Sequence, residues 1–298
     1  MTRRLLAQAR PGCERHGRYD GFVNPVTAPY LFEDPFITTG LYAWGLVHQF
    51  PRESVLQGGH ITVAALAARV ALTDRLAILA TKDGWADLDP DLAILGHHQG
   101  FTNITLGVKY ALIDDPEHQL IVTPVLRFET PAGSADVFQG HDQGIWLPGL
   151  SIAKGFDALH LMAHVGAEIP NDMGANSTFM FYDLHVDYGL LEHFVPFVEL
   201  NAFHYLRGGD GSRKVRTDAG TLTVKQATQA LKLQPFEGLD YANLGSDNVG
   251  GHFIATLGIG ARIPLGRHAS LGGAYEFPLT NRRDVFRQRF TASVTLEF

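Results

Sequence analysis

The chain has 298 residues, 45% of them hydrophobic and 18% charged, with 32 glycines and a formal net charge of -7. That apolar content suits one large domain or two ordinary ones, and the acidic balance, with basic residues clustered only between Arg213 and Arg216, argues against nucleic acid as a partner. No run approaches the roughly 18 apolar residues of a membrane-spanning helix, so if the chain meets a membrane it does so with strands. Its single cysteine, Cys13, makes no internal disulfide.

The first residues, MTRRLLAQARPGC, offer only Leu5, Leu6 and Ala7 as an apolar stretch, shorter than a signal core. No export signal is visible there. Further on, NPVTAPYLFEDPF carries three prolines, which forbid a regular helix or central strand. Met1 to Ile37 therefore reads as a segment ahead of the main domain: a periplasmic arm, a plug threading a lumen, or an export-region tail. Residues 38–298 form the domain itself.

From Leu41 onward the apolar residues recur at a period of two. Less regular runs cover Leu41 to Phe50, His60 to Leu72 and Leu76 to Asp83; then FTNITLGVKYAL sets Ile104, Leu106, Val108, Tyr110 and Leu112 against Asn103, Thr105 and Lys109. Leu120, Val122, Leu126 and Phe128 oppose Thr123, Arg127 and Glu129. After a run at Ile145 to Lys154, Leu161, Ala163, Val165 and Ala167 oppose His160, His164 and Glu168. Met180, Tyr182, Leu184, Val186 and Tyr188 then oppose Asp183, His185 and Asp187. Phe194 to Leu206, Phe253 to Ile263, Ala269 to Phe277 and the closing FTASVTLEF complete a set of about 12 strands, each longer than the ~5 to 6 residues usual in soluble sheets.

The connectors alternate, apart from brief loops on the long side at 171–174 and 281–284. Those at 73–75, 114–117, 155–158, 191–193 and 265–267 are tight, and those at 51–59, 84–100, 131–143 and 207–248 are long. This predicts an all-β fold: a transmembrane antiparallel up-and-down β-barrel of about 12 strands, with short periplasmic turns and longer extracellular loops. An even strand number returns the chain to the periplasmic side. The last strand, ending on Phe298, then pairs with the first and offers lipid an aromatic at the interface, as Tyr110, Trp146, Tyr188 and Tyr275 do near other strand ends. In the longest loop, TVKQATQALKL shows helical spacing after Thr223 as a cap.

The stretches GFTNITLGVKYAL, VTPVLRFETPAGS, FEGLDYANLGS and LGGAYEFPLTNRRDVFRQRF resemble the bacterial outer-membrane proteins of the MetA-pathway of phenol degradation family, over roughly Gly100 to Phe298. The resemblance implies an outer-membrane barrel passing small, often aromatic or hydrophobic, compounds, and it implies no catalytic residues.

If the polar face lines a lumen, hairpin register sets Asp183 opposite Asn201, His185 opposite Glu199 and Glu276 opposite Arg289. Lys109, Arg127, Glu129 and Arg287 join them as lumen-lining residues, with Arg69 and Arg262 adding positive charge. Opposed charges either set the polarity of a narrow pore or neutralise one another inside a filled barrel. Glycines at 107, 149, 258, 260 and 272 on the inward face favour open space. Adjacent histidines such as His97 and His98 point to opposite sides of a strand and lack a completing carboxylate set, so no metal and no cofactor is expected. Ser151, Ser270 and Ser293 read as inward, away from any outward histidine, so no enzyme is expected either. The expected function is an outer-membrane channel or passive transporter for small molecules, the alternative a non-conducting barrel acting through its loops. Its partners would be outer-membrane lipid, the barrel-assembly machinery reading Phe298, and the cargo.

Overall fold

The computed structural model describes residues 15, 16, 18–140, 143–189, 191, 193–218 and 220–298. Residues 1–14, with Cys13, lie outside that set, as does Glu192 in the tight connector expected at 191–193. Twelve strands make the wall: β1 Gly40–Gln49, β2 Gly59–Ala71, β3 Leu76–Pro90, β4 Thr105–Tyr110, β5 Leu120–Glu129, β6 Ile145–Phe156, β7 Leu159–Pro170, β8 Thr178–Tyr188, β9 Val195–Arg207, β10 Phe253–Pro264, β11 Ala269–Pro278 and β12 Gln288–Glu297. Each pairs antiparallel with the next. β12 pairs with β1 over ten positions, from Gln288 beside Gln49 to Glu297 beside Gly40, so the sheet closes on itself and leaves no edge.

The alternation read from the sequence places the side chains. On β8, Tyr182, Leu184 and Tyr188 are exposed, while Asp183, His185 and Asp187 are buried. Ile78, Leu106, Val108, Val198, Ile259, Leu271 and Val294 continue the outward apolar band, with Tyr110, Trp146, Tyr188 and Tyr275 exposed near strand ends. An inside-out pattern of this kind, polar within and apolar without, is the solution for a sheet standing in lipid. Among the described residues, no helix is long and apolar enough to cross a membrane.

Two departures from the expected strands have local causes. β3 runs on to Pro90, well past the expected end at Asp83, and pairs there with His98–Phe101. At Lys82 (φ 67) a bulge breaks the β2–β3 register between Leu66 and Ala68. One extra residue reverses the inward parity of everything beyond it, so Ala86 and Leu88 face in where Ala77 and Leu79 do before the bulge. The helix expected after Thr223 is present as α1, Val224–Leu231, with Thr223 and Gln226 forming a reciprocal capping box.

Residues 18–39 lie inside this wall without joining its sheet. Tyr19 bonds through its hydroxyl to Asp114 (2.7 Å) at the short-turn end, and Phe22 packs on His160 with ring centroids 4.6 Å apart. The segment climbs to a turn at Ala28 (φ 49), whose carbonyl accepts the N–H groups of Leu31 and Phe32. It then descends to Thr39, which accepts the N–H of Phe298 beside the start of β1. Phe22, Val23, Val26, Phe32 and Phe36 are buried in this path.

Candidate functional site: a charged lumen

The inward rows of the barrel bind the segment through its backbone. Glu199 accepts the N–H of Val26 (2.9 Å) and of Thr27 (2.6 Å), and the Thr27 hydroxyl as well. Arg127 donates to the carbonyl oxygens of Tyr30 and Leu31 (2.7 Å for Leu31). Arg262 donates to those of Asn24 (2.6 Å) and Pro25 (3.2 Å). The prolines leave the segment no regular partner for these groups, so charged wall residues take the place of a ladder.

The segment also brings charge of its own. Glu33 forms a two-pronged pair with Arg69 (2.7 and 2.8 Å) and meets Lys109 Nζ at 2.7 Å, while Asp34 Oδ1 lies 3.1 Å from the same ammonium. All four side chains are nearly inaccessible. Charges buried this deeply persist only when matched.

The expected cross-strand neighbours are in register: Asp183 with Asn201, His185 with Glu199, Glu276 with Arg289. His185 Nδ1 lies 2.7 Å from Glu199, and its Nε2 3.1 Å from Asp187, which in turn bonds His160 at 2.6 Å. Asn201 donates to Thr27 (3.0 Å) and Glu276 (2.9 Å), and Arg289 meets Glu276 at 3.3 Å. Glu129 pairs with Lys82 (2.9 Å) and Asn103 (2.8 Å). Asp183 stands apart: both its oxygens are buried and make no hydrogen bond among the described residues.

Arg287 does not line the lumen, contrary to expectation. Its inward parity with Arg289 holds only if the strand reaches it, but β12 begins at Gln288 and Arg287 sits exposed in the preceding loop, donating its N–H to Gln49. Nor do the inward glycines leave open space. A Cβ on Gly258 would lie 2.5 Å from Thr27 Cγ2, and one on Gly272 would lie 2.8 Å from Val26 Cγ2, so there the segment fills the volume. Gly107, Gly149 and Gly260 face Arg127, His164 and Phe197 of neighbouring strands. The missing bulk is supplied by other residues.

Other groups carried no readable signal. Lys82 points inward because of the bulge. Glu33 and Asp34 lie outside any strand. Asp240 and Tyr241 come from the longest loop, at the tip of a hairpin pairing Phe236–Leu239 with Asn243–Asp247. Asp240 ion-pairs with Arg289 and lies 2.9 Å from His48 Nδ1, and Tyr241 packs edge-on against Tyr30 with centroids 5.0 Å apart. Residues from the N-terminal segment and this hairpin thus both pack inside the wall, beside cavities of about 40 and 30 Å3.

No family model and no curated protein matches the sequence. Among solved structures, an outer-membrane channel from Pseudomonas putida F1 superposes with a TM-score of 0.56 at 13% identity, covering 93% of this chain and 100% of that one. The NanC porin gives 0.52 at 8% identity, over 87% of this chain and 100% of its own. At such identities the likeness is one of fold. The chain has the fold of an outer-membrane β-barrel, and the resemblance to the phenol-degradation family has no family model behind it.

Proposed function

We propose that this protein is an outer-membrane channel or passive transporter for small molecules, closed at rest by residues 18–39 acting as a plug. One observation carries the reading: the wall is complete without the segment. Twelve strands close on one another, and above the Thr39 carbonyl, which accepts the Phe298 N–H, the wall holds the segment through side chains rather than a ladder. Withdrawing it would uncover a hydrated, charged passage rather than tear a sheet. The structural neighbour described as a channel supports the same role. Outer-membrane lipid would face the apolar band, and Phe298, 78% exposed, would be available to the assembly machinery. Lys109, Arg127, Glu129, Asp183, His185, Glu199, Asn201, Glu276 and Arg289 would line the opened passage.

A tether tests this. A Cβ built on Gly258 lies 3.5 Å from Thr27 Cβ, within reach of a disulfide. The protein carrying Thr27→Cys and Gly258→Cys, with Cys13→Ser to remove the native thiol, should be silent in planar bilayers and in liposome-swelling assays when oxidised. Reduction should restore the openings that applied voltage drives, the segment being free again to withdraw. A barrel equally silent in both states, under voltage and across sugars, aromatic acids and alkanes, would favour the non-conducting alternative.

A further inference from the structure

Outside the lumen, on the long-loop side, residues from three loops, the longest supplying both α1 and the hairpin, close around a cavity of about 50 Å3. Leu56 comes from the loop after β1, Leu92 from the loop after β3, Val224 and Ala227 from α1, and Phe236 and Leu244 from the hairpin that carries Asp240. Its walls are almost wholly hydrocarbon. The two lining residues with hydroxyls already use them: Thr217 donates to the Gly220 carbonyl at 2.7 Å, and Thr223 accepts the Gln226 N–H at 3.2 Å. Such a space has volume for water but not the two to four polar partners that hold one. It favours an apolar occupant.

We propose that this cavity is a binding site for a slender apolar group, an unbranched alkyl chain of a few carbons. Size sets the class. An apolar cavity of ~150 Å3 admits benzene, and this one has about a third of that volume, so a ring does not fit as the walls stand, whereas a chain one methylene wide does. Leu92 and Ala227 are only partly buried, which gives the site a rim at solvent through which a polar head could stay wet. The placement adds a consequence: Phe236 and Leu244 form part of the wall, so an occupant rests against the back of the hairpin whose tip packs inside the barrel. The binding claim stands independently of transport and is read without it.

The test uses the full chain, methyl-labelled, in lipid nanodiscs so that no detergent chain competes. Xenon and 1-propanol are added separately, with benzyl alcohol as the ring-bearing control. Saturable shifts of the Leu56, Leu92, Val224 and Leu244 methyl signals are expected with xenon and propanol, weakened at least tenfold with benzyl alcohol. Ala227→Leu, which fills the space from the helix, should abolish them while barrel methyl signals such as Leu184 stay in place. If Ala227→Leu does not fold, the smaller Ala227→Val should weaken propanol binding severalfold. Shifts that fail to saturate, that appear equally with benzyl alcohol, or that survive the filling substitution would overturn the proposal.

Discussion

Arg289 shows what a buried charge does in this lumen. It joins Glu276 on the neighbouring strand to Asp240 from the loop and lies against His48, with its guanidinium 4.7 Å from the centre of the Tyr241 ring. Removing one member of a buried pair strands its partners, at a cost of about 3 to 5 kcal/mol. Arg289→Ala should therefore lower the unfolding midpoint in detergent markedly and leave resting bilayers silent, because residues 18–39 still fill the bore. A variant with unchanged stability and a cation-selective current at rest would mean that water already reaches the site. The same logic applies to Thr256, an inward residue that an open pore would let grow. It is fully buried and donates to Glu276 at 2.6 Å, so Thr256→Arg has no room and should impair folding.

Elements were legible where period and length agreed and illegible where one residue broke the period. The strands from Ile145 to Arg207 lie within two residues of their expected ends because length and period agree over most of each, the register shift in the β8–β9 pairing falling at its end, between Thr178 and Phe179. β3 does not, since the bulge at Lys82 is a backbone event with no side-chain signature. Residues 18–39 have no period at all, so their prolines could say what the segment is not but not where it lies. The charged rows were readable as inward, yet their partners Glu33, Asp34 and Asp240 come from non-strand chain and were not. Outward placement gives a direct check: Leu257→Arg, on the lipid face of β10, should cost about 2 to 4 kcal/mol near the bilayer midplane, measured by urea unfolding in lipid vesicles. A neutral result would contradict the orientation of the whole strand.

The hairpin 236–247 offers a further check at this scale, through pH. Burial pushes the Glu237 carboxyl from an ordinary 4.5 up to about 8, and Asp284, which lies beside it under Arg282, from 3.8 up to about 6. A carboxyl with a raised pKa in the docked state holds a proton that the undocked state has released, so docking is strongest at low pH and weakens as pH rises. For Glu237 the loss runs from about 4.5 to about 8. Protease cleavage within 232–247 should accordingly rise by an order of magnitude or more between about pH 5 and pH 8. Glu237→Gln should flatten that rise, leaving only the smaller part due to Asp284 below about pH 6. Cleavage that is constant with pH in the native chain would show the carboxyl to be ionised and hydrated.

At the scale of the molecule, the wall charges are unevenly distributed. β2 to β5 carry Arg69, Lys82, Lys109 and Arg127 against the buried carboxylate of Glu129, while β7 to β12 carry Glu168, Asp183, Asp187, Glu199, Glu276 and Glu297 against Arg262 and Arg289. At rest this polarity is masked, because Glu33 and Asp34 neutralise the cationic side and the segment's backbone occupies the rest. Release of the segment would remove those two carboxylates and leave a passage with a positive wall facing a negative one, a geometry that sorts solutes by dipole and charge more than by size. Once opened by voltage, the reduced Thr27→Cys, Gly258→Cys, Cys13→Ser protein should thus conduct with weak selectivity between anions and cations. Adding Lys109→Gln deletes one cation from the positive wall and also loosens the grip on Glu33 and Asp34. In the reduced state it should shift the reversal potential toward cations, by severalfold in permeability ratio, and raise the open fraction. In the oxidised state it should do neither, since the tether holds the segment whatever its charges. A cation shift that persisted in the oxidised protein would place the conducting path elsewhere than the lumen occupied by residues 18–39.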